Sequence, residues 1–309
     1  MHYIFMISLC LFLVSSVQAQ HSCCSITNKK GNEAAAGSHA GHGIEQAQAE
    51  HHTSSHTSAT AHFAGFASDA DFTSGHDEPL AYTHQTTNGK EISYPTPDGQ
   101  TSRAFAYMAP KASNKYLLVI HEWWGLNDHI KREAERYFKE LGSVNVLALD
   151  LYDGKVAGTR EEAQQYVQAV NEERVRAIIQ GALNLAGKEA EIATIGWCFG
   201  GGWSLQAAIQ AGNQAQACVI YYGMPEQDVQ RLKQLDCEVL GIFASQDGHI
   251  TPAVVEDFKM NMEKADKELE VKMYDAKHAF ANPSNPAFNK SAADNAFKLS
   301  TAFLKKQLN

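Results

Sequence analysis

The feature of this 309-residue chain that most constrains its fold is a regular alternation of short apolar runs with amphipathic segments, which begins near residue 84. Residues 116–120 are one continuous apolar run, of the kind that a strand buried on both faces shows, and residues 144–149 are another. Between them, Asn127 or Asp128 can cap a helix that ends at Gly142. Units of this length predict an α/β fold, a mostly parallel sheet covered by helices on both faces.

The same pattern predicts the remaining elements. Residues 103–108 alternate and are followed by Pro110, which predicts an early edge strand. The further predicted strands are 192–196, 219–222, 239–244 and 270–274. The further predicted helices are 161–186 (one or two, broken near Asn171), 198–211, 252–265 and 292–308.

Residues 1–19 have the pattern of a secretory signal peptide. Residues 4–14 form an apolar run of suitable length, and Val17-Gln18-Ala19 fits a small-residue cleavage site, which places the cut after Ala19. The alternative is an uncleaved membrane anchor, but the run is short for a spanning helix. We therefore expect an exported protein, periplasmic or secreted, with no stable membrane insertion after cleavage.

Residues 20–83 differ in composition from the chain that follows. They are rich in Ala, Ser, Thr and Gly, they hold eight of the 14 histidines, and they show no sustained apolar period. Such a segment cannot bury enough apolar surface to offset its ordering entropy, which predicts a disordered linker before a domain over residues 84–309. Some of its histidines could bind a transition metal weakly, without a fixed ligand spacing: His39, His42, His51, His52 and His56.

The six cysteines do not have the dense, regular spacing of a disulfide scaffold. Cys10 lies in the predicted signal peptide. Cys218 and Cys237 each begin an apolar run, which favours buried thiols and leaves a bridge between them as the alternative.

The strongest chemical signal is Gly196-Trp197-Cys198-Phe199-Gly200, which stands between a predicted strand and a predicted helix. The G-x-S-x-G pattern of a nucleophile elbow has this layout, here with Cys in place of Ser. The nucleophile of an elbow sits on a strained turn, and small flanking residues let the strand and helix approach each other. The helix N-terminus lowers the pKa of such a thiol and stabilises an oxyanion. Mere packing of glycines around a buried cysteine is the alternative.

A cysteine nucleophile needs a base, and the base needs an orienting group. Asp247 follows the strand predicted over residues 239–244, and His278 follows the next one. Both therefore lie at carboxyl ends of strands, where such folds place their sites, in the chain order nucleophile, acid, histidine. His249 is an alternative base, but it is too close to Asp247 in sequence to approach Cys198 easily.

His121-Glu122-Trp123-Trp124-Gly125 also follows an apolar strand and precedes a helix. An oxyanion hole at this place takes one backbone N–H from this turn and one from the elbow, which predicts Trp123 and Phe199 as donors. A carboxylate at the end of a buried strand is costly unless it has a partner or a task. Glu122 is therefore a further candidate catalytic residue, with a hydrogen-bonded structural role as the alternative.

On these motifs, the chain from about residue 86 to 309 resembles the dienelactone hydrolases. The matching segments occur in the same order: 121–129, 196–200, 245–247 and 278–280. The resemblance implies the α/β-hydrolase fold and hydrolysis of a small lactone or ester by Cys198, Asp247 and His278 through an acyl-enzyme. It implies neither an organic cofactor nor a metal. It also implies that Glu122 contacts the resting cysteine and helps to generate the thiolate when substrate binds.

Two positions depart from the family pattern. Family members hold a substrate carboxylate with two arginines, one of them four residues after the catalytic histidine, where this chain has Asn282. Arg160, after a shortened loop, is the only arginine near the place of the other. Asn282 and Arg160 are thus the candidate substrate-binding residues, and the pattern of a carboxylate clamp is incomplete.

The net charge of −9 argues against a nucleic-acid or anionic-membrane partner, which leaves a small-molecule ester or lactone as the expected ligand. Two other functions stay open. One is an exported metal-handling protein that uses its histidine-rich segment on an inactive hydrolase scaffold, and the other is a redox-sensing thiol protein centred on Cys198. The positions of Asp247 and His278 favour the hydrolase. The substrate, the oligomeric state and any protein partner stay open as well.

Overall fold

The computed structural model describes residues 59–308, and one eight-stranded sheet is its central element. The strands are β1 (Gly89–Pro95), β2 (Thr101–Tyr107), β3 (Lys115–Ile120), β4 (Asn145–Leu149), β5 (Glu191–Trp197), β6 (Ala215–Tyr221), β7 (Glu238–Ala244) and β8 (Leu269–Tyr274). Their order across the sheet is β1-β2-β4-β3-β5-β6-β7-β8. Strand β2 pairs antiparallel with β1 and β4, and all other neighbours are parallel.

Nine α-helices accompany the sheet within the described residues. They are α1 (Ala59–Phe66), α2 (Ala70–Ser74), α3 (Asp128–Leu141), α4 (Arg160–Gln168), α5 (Glu172–Ala186), α6 (Phe199–Ala211), α7 (Val229–Leu232), α8 (Pro252–Lys264) and α9 (Lys290–Gln307). Asn127 caps α3 by accepting a hydrogen bond from Ile130 N at 3.1 Å, as the sequence predicts. Asn171 caps α5 in the same way, which separates α4 from α5.

The predicted α/β architecture is confirmed. Strands β3 to β7 are almost fully buried, and apolar side chains pack against helices on both faces of the sheet. The predicted edge strand over residues 103–108 is β2, and it is not at the edge, because β1 lies outside it. Strand β1 was not predicted, because only Ile92 and Tyr94 along it are large apolar residues.

The parallel strands set the positions of the candidate residues. Glu122 follows β3, Cys198 follows β5, Asp247 follows β7 and His278 follows β8. Because parallel strands end at the same edge of the sheet, all four side chains lie on one side of the molecule.

The prediction of a disordered linker is wrong for residues 59–83, which we call the covering segment. Phe63, Ala67 and Phe72 are each at most 2% exposed, so the segment packs on the hydrolase domain. The reason is local: three phenylalanines fall within ten residues, and composition averaged over residues 20–83 conceals them. Residues 20–58 and the predicted signal peptide lie outside the described residues.

Polar contacts also attach the covering segment to the domain. Gln168 Nε2 donates to Ser68 Oγ at 2.8 Å, and Asn285 Nδ2 donates to Gly75 O at 3.2 Å. Arg160 Nε donates to the carbonyl oxygen of His76 at 2.6 Å. Two of these bonds come from α4 and one from the loop before α9, and together they fix both ends of α2.

Cys218 and Cys237 are separate free thiols rather than a bridge. Cys218 is buried in β6, where its sulfur lies 3.6 Å from Ser204 Oγ. Between residues 59 and 308, no helix combines the length and the apolar character that crossing a bilayer requires.

Candidate active site

Cys198 occupies a strained turn between β5 and α6. Its backbone has φ 58° and ψ −119°, a region that L-residues rarely adopt. A Cβ atom on Gly196 would lie 2.0 Å from Gly200 O, and one on Gly200 would lie 2.3 Å from His121 O. The two glycines are therefore required by close backbone contacts, and the turn has the geometry of a nucleophile elbow.

The structure brings Cys198, His278 and Asp247 into a continuous line of contacts. His278 Nε2 lies 3.3 Å from Cys198 Sγ, and His278 Nδ1 lies 2.5 Å from Asp247 Oδ2. Asp247 Oδ1 accepts hydrogen bonds from the backbone N–H groups of His249 and Ile250, at 2.9 and 3.0 Å. The His249 ring is turned elsewhere, with Nε2 3.7 Å from Asp69 Oδ2 in the covering segment.

Burial and charge set the protonation states in this line. Burial opposes ionisation of Asp247, but the contact with His278 and the two backbone donors outweigh it and hold the pKa of Asp247 at about 2. Burial also disfavours protonated His278, yet the Asp247 carboxylate reverses this and raises the pKa of His278 above its usual range. Burial raises the pKa of the Cys198 thiol, so the resting nucleophile is protonated.

Glu122 lies at the end of β3, where the structure gives it a partner other than the cysteine. Its Oε2 accepts a 2.6 Å hydrogen bond from Asn282 Nδ2, whereas the family resemblance implied a contact with the resting thiol. Its Oε1 is buried and has no hydrogen-bond partner among the described residues. Burial raises the pKa of Glu122 to about 7, although the charge of His278 and the Asn282 hydrogen bond oppose the rise. This carboxyl group can therefore gain or lose a proton near neutral pH.

The two predicted oxyanion donors belong to turns that touch. Phe199 is the first residue of α6, and its backbone N–H is directed at the Cys198 sulfur, which lowers the thiol pKa slightly. Trp123 lies in the turn after β3, and the contact of Gly200 with His121 O joins this turn to the elbow. The two turns therefore flank the thiol.

The two predicted substrate-binding residues are placed differently. Asn282 lines a small cavity with Glu122, Trp197 and Tyr222, next to the candidate catalytic residues. Arg160 lies instead in a surface cleft, where its Nη2 is 2.5 Å from Asp77 Oδ1 of the covering segment. The guanidinium is thus already paired, and sequence reasoning could not see this because the partner lies in the presumed linker.

Further polar atoms lie around the thiol, and two of the residues that carry them, Tyr152 and Tyr222, were not singled out by the sequence. Ten buried side-chain atoms lack a hydrogen-bond partner within residues 59–308, and four of them belong to residues around the site: Glu122 Oε1, Trp123 Nε1, Tyr152 Oη and Tyr222 Oη. The Tyr222 ring lies 5.0 Å from that of His278, and the Tyr152 ring lies 5.6 Å from that of Phe199. A buried polar group without a partner is unfavourable, so each of these four atoms has a hydrogen bond left to form.

The covering segment closes this site from outside. The Phe63 ring lies 5.6 Å from that of Phe199, and the Phe72 ring lies 5.8 Å from that of His278. His76 Nε2 lies 4.0 Å from Cys198 Sγ, and Cys198 is only 1% exposed. The spacing of Phe63, Phe66 and Phe72 was the one sequence signal that could have indicated this docking.

An elbow after β5, with an acid after β7 and a histidine after β8 of a sheet in this order, defines an α/β-hydrolase. The model of the dienelactone hydrolase family matches residues 103–308, and the chain belongs to that family. As a member of it, the protein is a carboxylic ester hydrolase.

Individual relatives and solved structures agree with this assignment. A protein of Saccharolobus solfataricus named "Putative carboxymethylenebutenolidase" is 27% identical over 259 residues, 70% of this chain and 98% of the relative. "Protein usf" of Aquifex pyrophilus is 29% identical over 213 residues, 64% of this chain and 91% of the relative. A dienelactone hydrolase-like promiscuous phosphotriesterase from metagenomic libraries shares the fold, with a TM-score of 0.62 at 20% identity, over 72% of this chain and 100% of that one.

Proposed function

We propose that the protein hydrolyses small, neutral lactones or carboxylic esters, with Cys198 as nucleophile, His278 as general base and acid, and Asp247 as the group that orients His278. The observation that carries the proposal is the line of contacts from Cys198 Sγ through both ring nitrogens of His278 to Asp247. A redox-sensing thiol does not need a histidine and an aspartate in this arrangement. A catalytic cysteine needs the histidine as its base and the aspartate to orient that base.

The reaction proceeds in two halves. The Cys198 thiol proton passes to His278 Nε2, and the thiolate attacks the acyl carbon, so that a C–S bond forms and the carbonyl oxygen becomes an oxyanion. The backbone N–H groups of Trp123 and Phe199 stabilise that oxyanion. Its collapse breaks the acyl C–O bond, and His278 returns the proton to the leaving alkoxide. A water molecule, deprotonated by His278, then attacks the thioester and releases the carboxylic acid and the thiol.

Two groups assist these steps. Asp247 stays ionised because its pKa is about 2, so it keeps His278 in the tautomer that presents Nε2 to the sulfur and stabilises the imidazolium. Glu122 titrates near neutrality, and its charge acts on the Cys198 thiol, so we assign it to proton exchange during ionisation of Cys198. Asn282 positions Glu122 through the 2.6 Å hydrogen bond.

The chemistry of the pocket favours a small and neutral substrate. The cavity beside Glu122 is lined by Trp197, Tyr222 and Ala281, and the Asn282 amide stands where the family has an arginine. Arg132 also lines the cavity, but its charge is paired with Glu133 at 3.5 Å. The name carboxymethylenebutenolidase, which several relatives bear, agrees with a lactone as the acyl donor. A thiolate suits such activated acyl groups better than amides, whose leaving amine needs an efficient proton supply.

The test is a hydrolysis panel of chromogenic short-chain esters and small lactones, measured on the wild type, Cys198→Ala and Cys218→Ala. Cys218 is a matched control because it is also a buried free thiol, located in β6. We expect Cys198→Ala to lose turnover and Cys218→Ala to keep it, and rapid quenching to trap an acyl group on Cys198 by mass spectrometry. Turnover by pure Cys198→Ala at the wild-type rate would reject the assignment.

The proposal includes export, on the pattern of residues 1–19. Expression in a bacterial host, followed by fractionation and N-terminal sequencing, tests it. A mature chain that begins at Gln20 supports export with cleavage, and a chain that retains Met1 in the cytoplasm contradicts it.

A further inference from the structure

Three metal-ligating atoms converge at the thiol. His76 Nε2, Cys198 Sγ and His278 Nε2 all lie within 4.8 Å of one another. The two sulfur–nitrogen distances are 4.0 Å to His76 and 3.3 Å to His278. His76 and Cys198 are buried and His278 is half-buried, so the cluster is largely shielded from water. His76 belongs to the covering segment and has no part in the hydrolytic steps.

Both histidines are oriented in the way that bound metals require. His76 Nδ1 lies 2.7 Å from the carbonyl oxygen of Phe72, which can only accept, so Nδ1 carries the hydrogen and Nε2 presents its lone pair to the sulfur. Likewise, His278 Nδ1 donates its hydrogen to Asp247 Oδ2, which leaves the lone pair on His278 Nε2. Metal-ligating histidines almost always donate their second ring nitrogen to a carbonyl or a carboxylate, and this cluster has one of each.

The separations allow a tetrahedral ion to bind once His76 moves closer, since the three ligand atoms lie within 4.8 Å of one another. Zinc bonds of about 2.3 Å to sulfur and about 2.0–2.1 Å to nitrogen imply ligand–ligand separations of about 3.3–3.6 Å. The shorter sulfur–nitrogen distance already agrees, and the longer one would have to shrink by about half an ångström. One thiolate and two imidazoles are ligands that zinc prefers, and the fourth position is left to water.

The His76 ring is held in place by its Nδ1–H bond to the carbonyl oxygen of Phe72. The ring also packs edge-on against Trp123 and His278, at 4.9 and 5.2 Å. Packing alone would explain a buried aromatic ring at this place, but not a lone pair directed at the nucleophile.

We propose that His76, Cys198 and His278 bind Zn²⁺, and that the bound ion holds the covering segment over the nucleophile and stops hydrolysis. Binding forms one Zn–S and two Zn–N bonds in place of bonds from the ion to water, and it releases to solvent the thiol proton and any proton on His278 Nε2, with no change of oxidation state. Removal of the ion returns the proton to the sulfur and frees His278 to act as a base. The ion site stands independently of the proposed function, whereas the inhibition rests on it.

The first measurement is metal binding by the full-length chain, because it does not depend on activity. Zn²⁺ is titrated against a chromogenic chelator, and Co²⁺ is added to the apoprotein to look for sulfur-to-cobalt charge-transfer absorption. We expect one tight site per chain, weakened at least tenfold in His76→Gln and Cys198→Ala and unchanged in His129→Ala. All variants keep the histidines of residues 20–58, so weak binding there is common to every titration. Equal affinity of wild type and His76→Gln would overturn the proposal.

A second variant separates ligation from packing. His76→Gln keeps most of the side-chain volume, and His76→Cys restores a metal ligand on a shorter side chain. If His76 ligates the ion, affinity returns at least partly in His76→Cys and is lost in His76→Gln. If the ring acts only by packing, the Co²⁺ absorption is the same in both variants, and the ion site is rejected.

The inhibition is measured on an ester that the metal-free wild type hydrolyses. Stoichiometric Zn²⁺ should abolish turnover in the wild type, a chelator should restore it, and His76→Gln should need at least tenfold more Zn²⁺. If the metal-free enzyme hydrolyses none of the esters or lactones while the Co²⁺ spectrum is present, the proposed function fails and the ion site stands. Full turnover by the zinc-loaded enzyme would overturn the inhibition.

Discussion

Asn282 is bound on both sides of its amide: Nδ2 donates to Glu122 Oε2 at 2.6 Å, and Oδ1 accepts from the backbone N–H of Ser284 at 2.9 Å. The second bond fixes which way the amide points. The position where dienelactone hydrolases place an arginine thus holds a neutral group, which is tied to a buried carboxyl group. Position 282 therefore offers no cation to an anionic substrate, and Arg132, which lines the same cavity, is already paired with Glu133.

The first prediction, which concerns the charge of the preferred substrate, follows from this neutral group at position 282. For a matched pair of esters, kcat/KM of the neutral member should equal or exceed that of its carboxylated analogue, because a neutral hydrogen bond is about half as strong as a charge-assisted one. Asn282→Arg should shift the ratio toward the carboxylated member by about tenfold, or about 1.4 kcal/mol. Phe288→Arg, on the same loop, controls for added charge. A strong wild-type preference for the carboxylated ester would mean that another cation binds it.

The second prediction concerns the free energy of unfolding, which ionisation of Glu122 lowers as the pH rises. Its pKa is about 7 in the folded protein and 4.5 in an ordinary environment. Between these values only the unfolded chain ionises, so rising pH lowers the free energy of unfolding, by about 3 kcal/mol in total. Below pH 4.5 the carboxyl is neutral in both states, and above about 7 the loss is complete.

Glu122→Gln removes this dependence and keeps an oxygen that can accept from Asn282. In urea unfolding at pH 4.5, 6 and 7.5, the free energy of unfolding of the variant should therefore increase relative to that of the wild type as the pH rises. A difference between the two proteins that is constant over this range would show that Glu122 does not titrate as its burial implies.

How much of the site the sequence could predict depends on how far apart in the sequence the contacting residues are. Cys198, Asp247 and His278 could be placed because each directly follows a strand, and parallel strands end at one edge of the sheet. The Glu122–Asn282 bond joins residues 160 positions apart, and no local pattern encodes it. The docking of Phe63 and Phe72 depends on a complementary aromatic surface at Trp123 and Phe199, which exists only after the sheet has folded.

The third prediction tests Asp247 against a nearby acid. Asp247→Asn keeps the shape but replaces the acceptor that fixes the His278 tautomer, so kcat should fall on the order of 10³- to 10⁴-fold. Asp275→Asn is the matched control, because Asp275 is exposed and its partners within residues 59–308 are Gln246 and Ser245. Steady-state kinetics of both variants, with circular dichroism as a check of folding, measure the effect. Similar kcat values for the two variants would show that Asp247 has no part in catalysis.

The last prediction concerns how firmly the covering segment shields the thiol when no metal is present. Phe72 is buried against Trp123 and His278, and removing a buried phenylalanine ring costs about 3–5 kcal/mol where the site cannot collapse. Because residues 59–83 dock on a preformed surface, this loss should appear as local opening rather than global unfolding. In a chelator, Phe72→Ala should therefore react with iodoacetamide at Cys198 at least tenfold faster than the wild type, with the labelled cysteine identified by mass spectrometry. Leu80→Ala is the control, since Leu80 is 64% exposed within the same segment and should leave the rate unchanged. Equal labelling of Phe72→Ala and wild type would mean that the ring does not hold the segment in place, and that Cys198 is shielded by the domain itself.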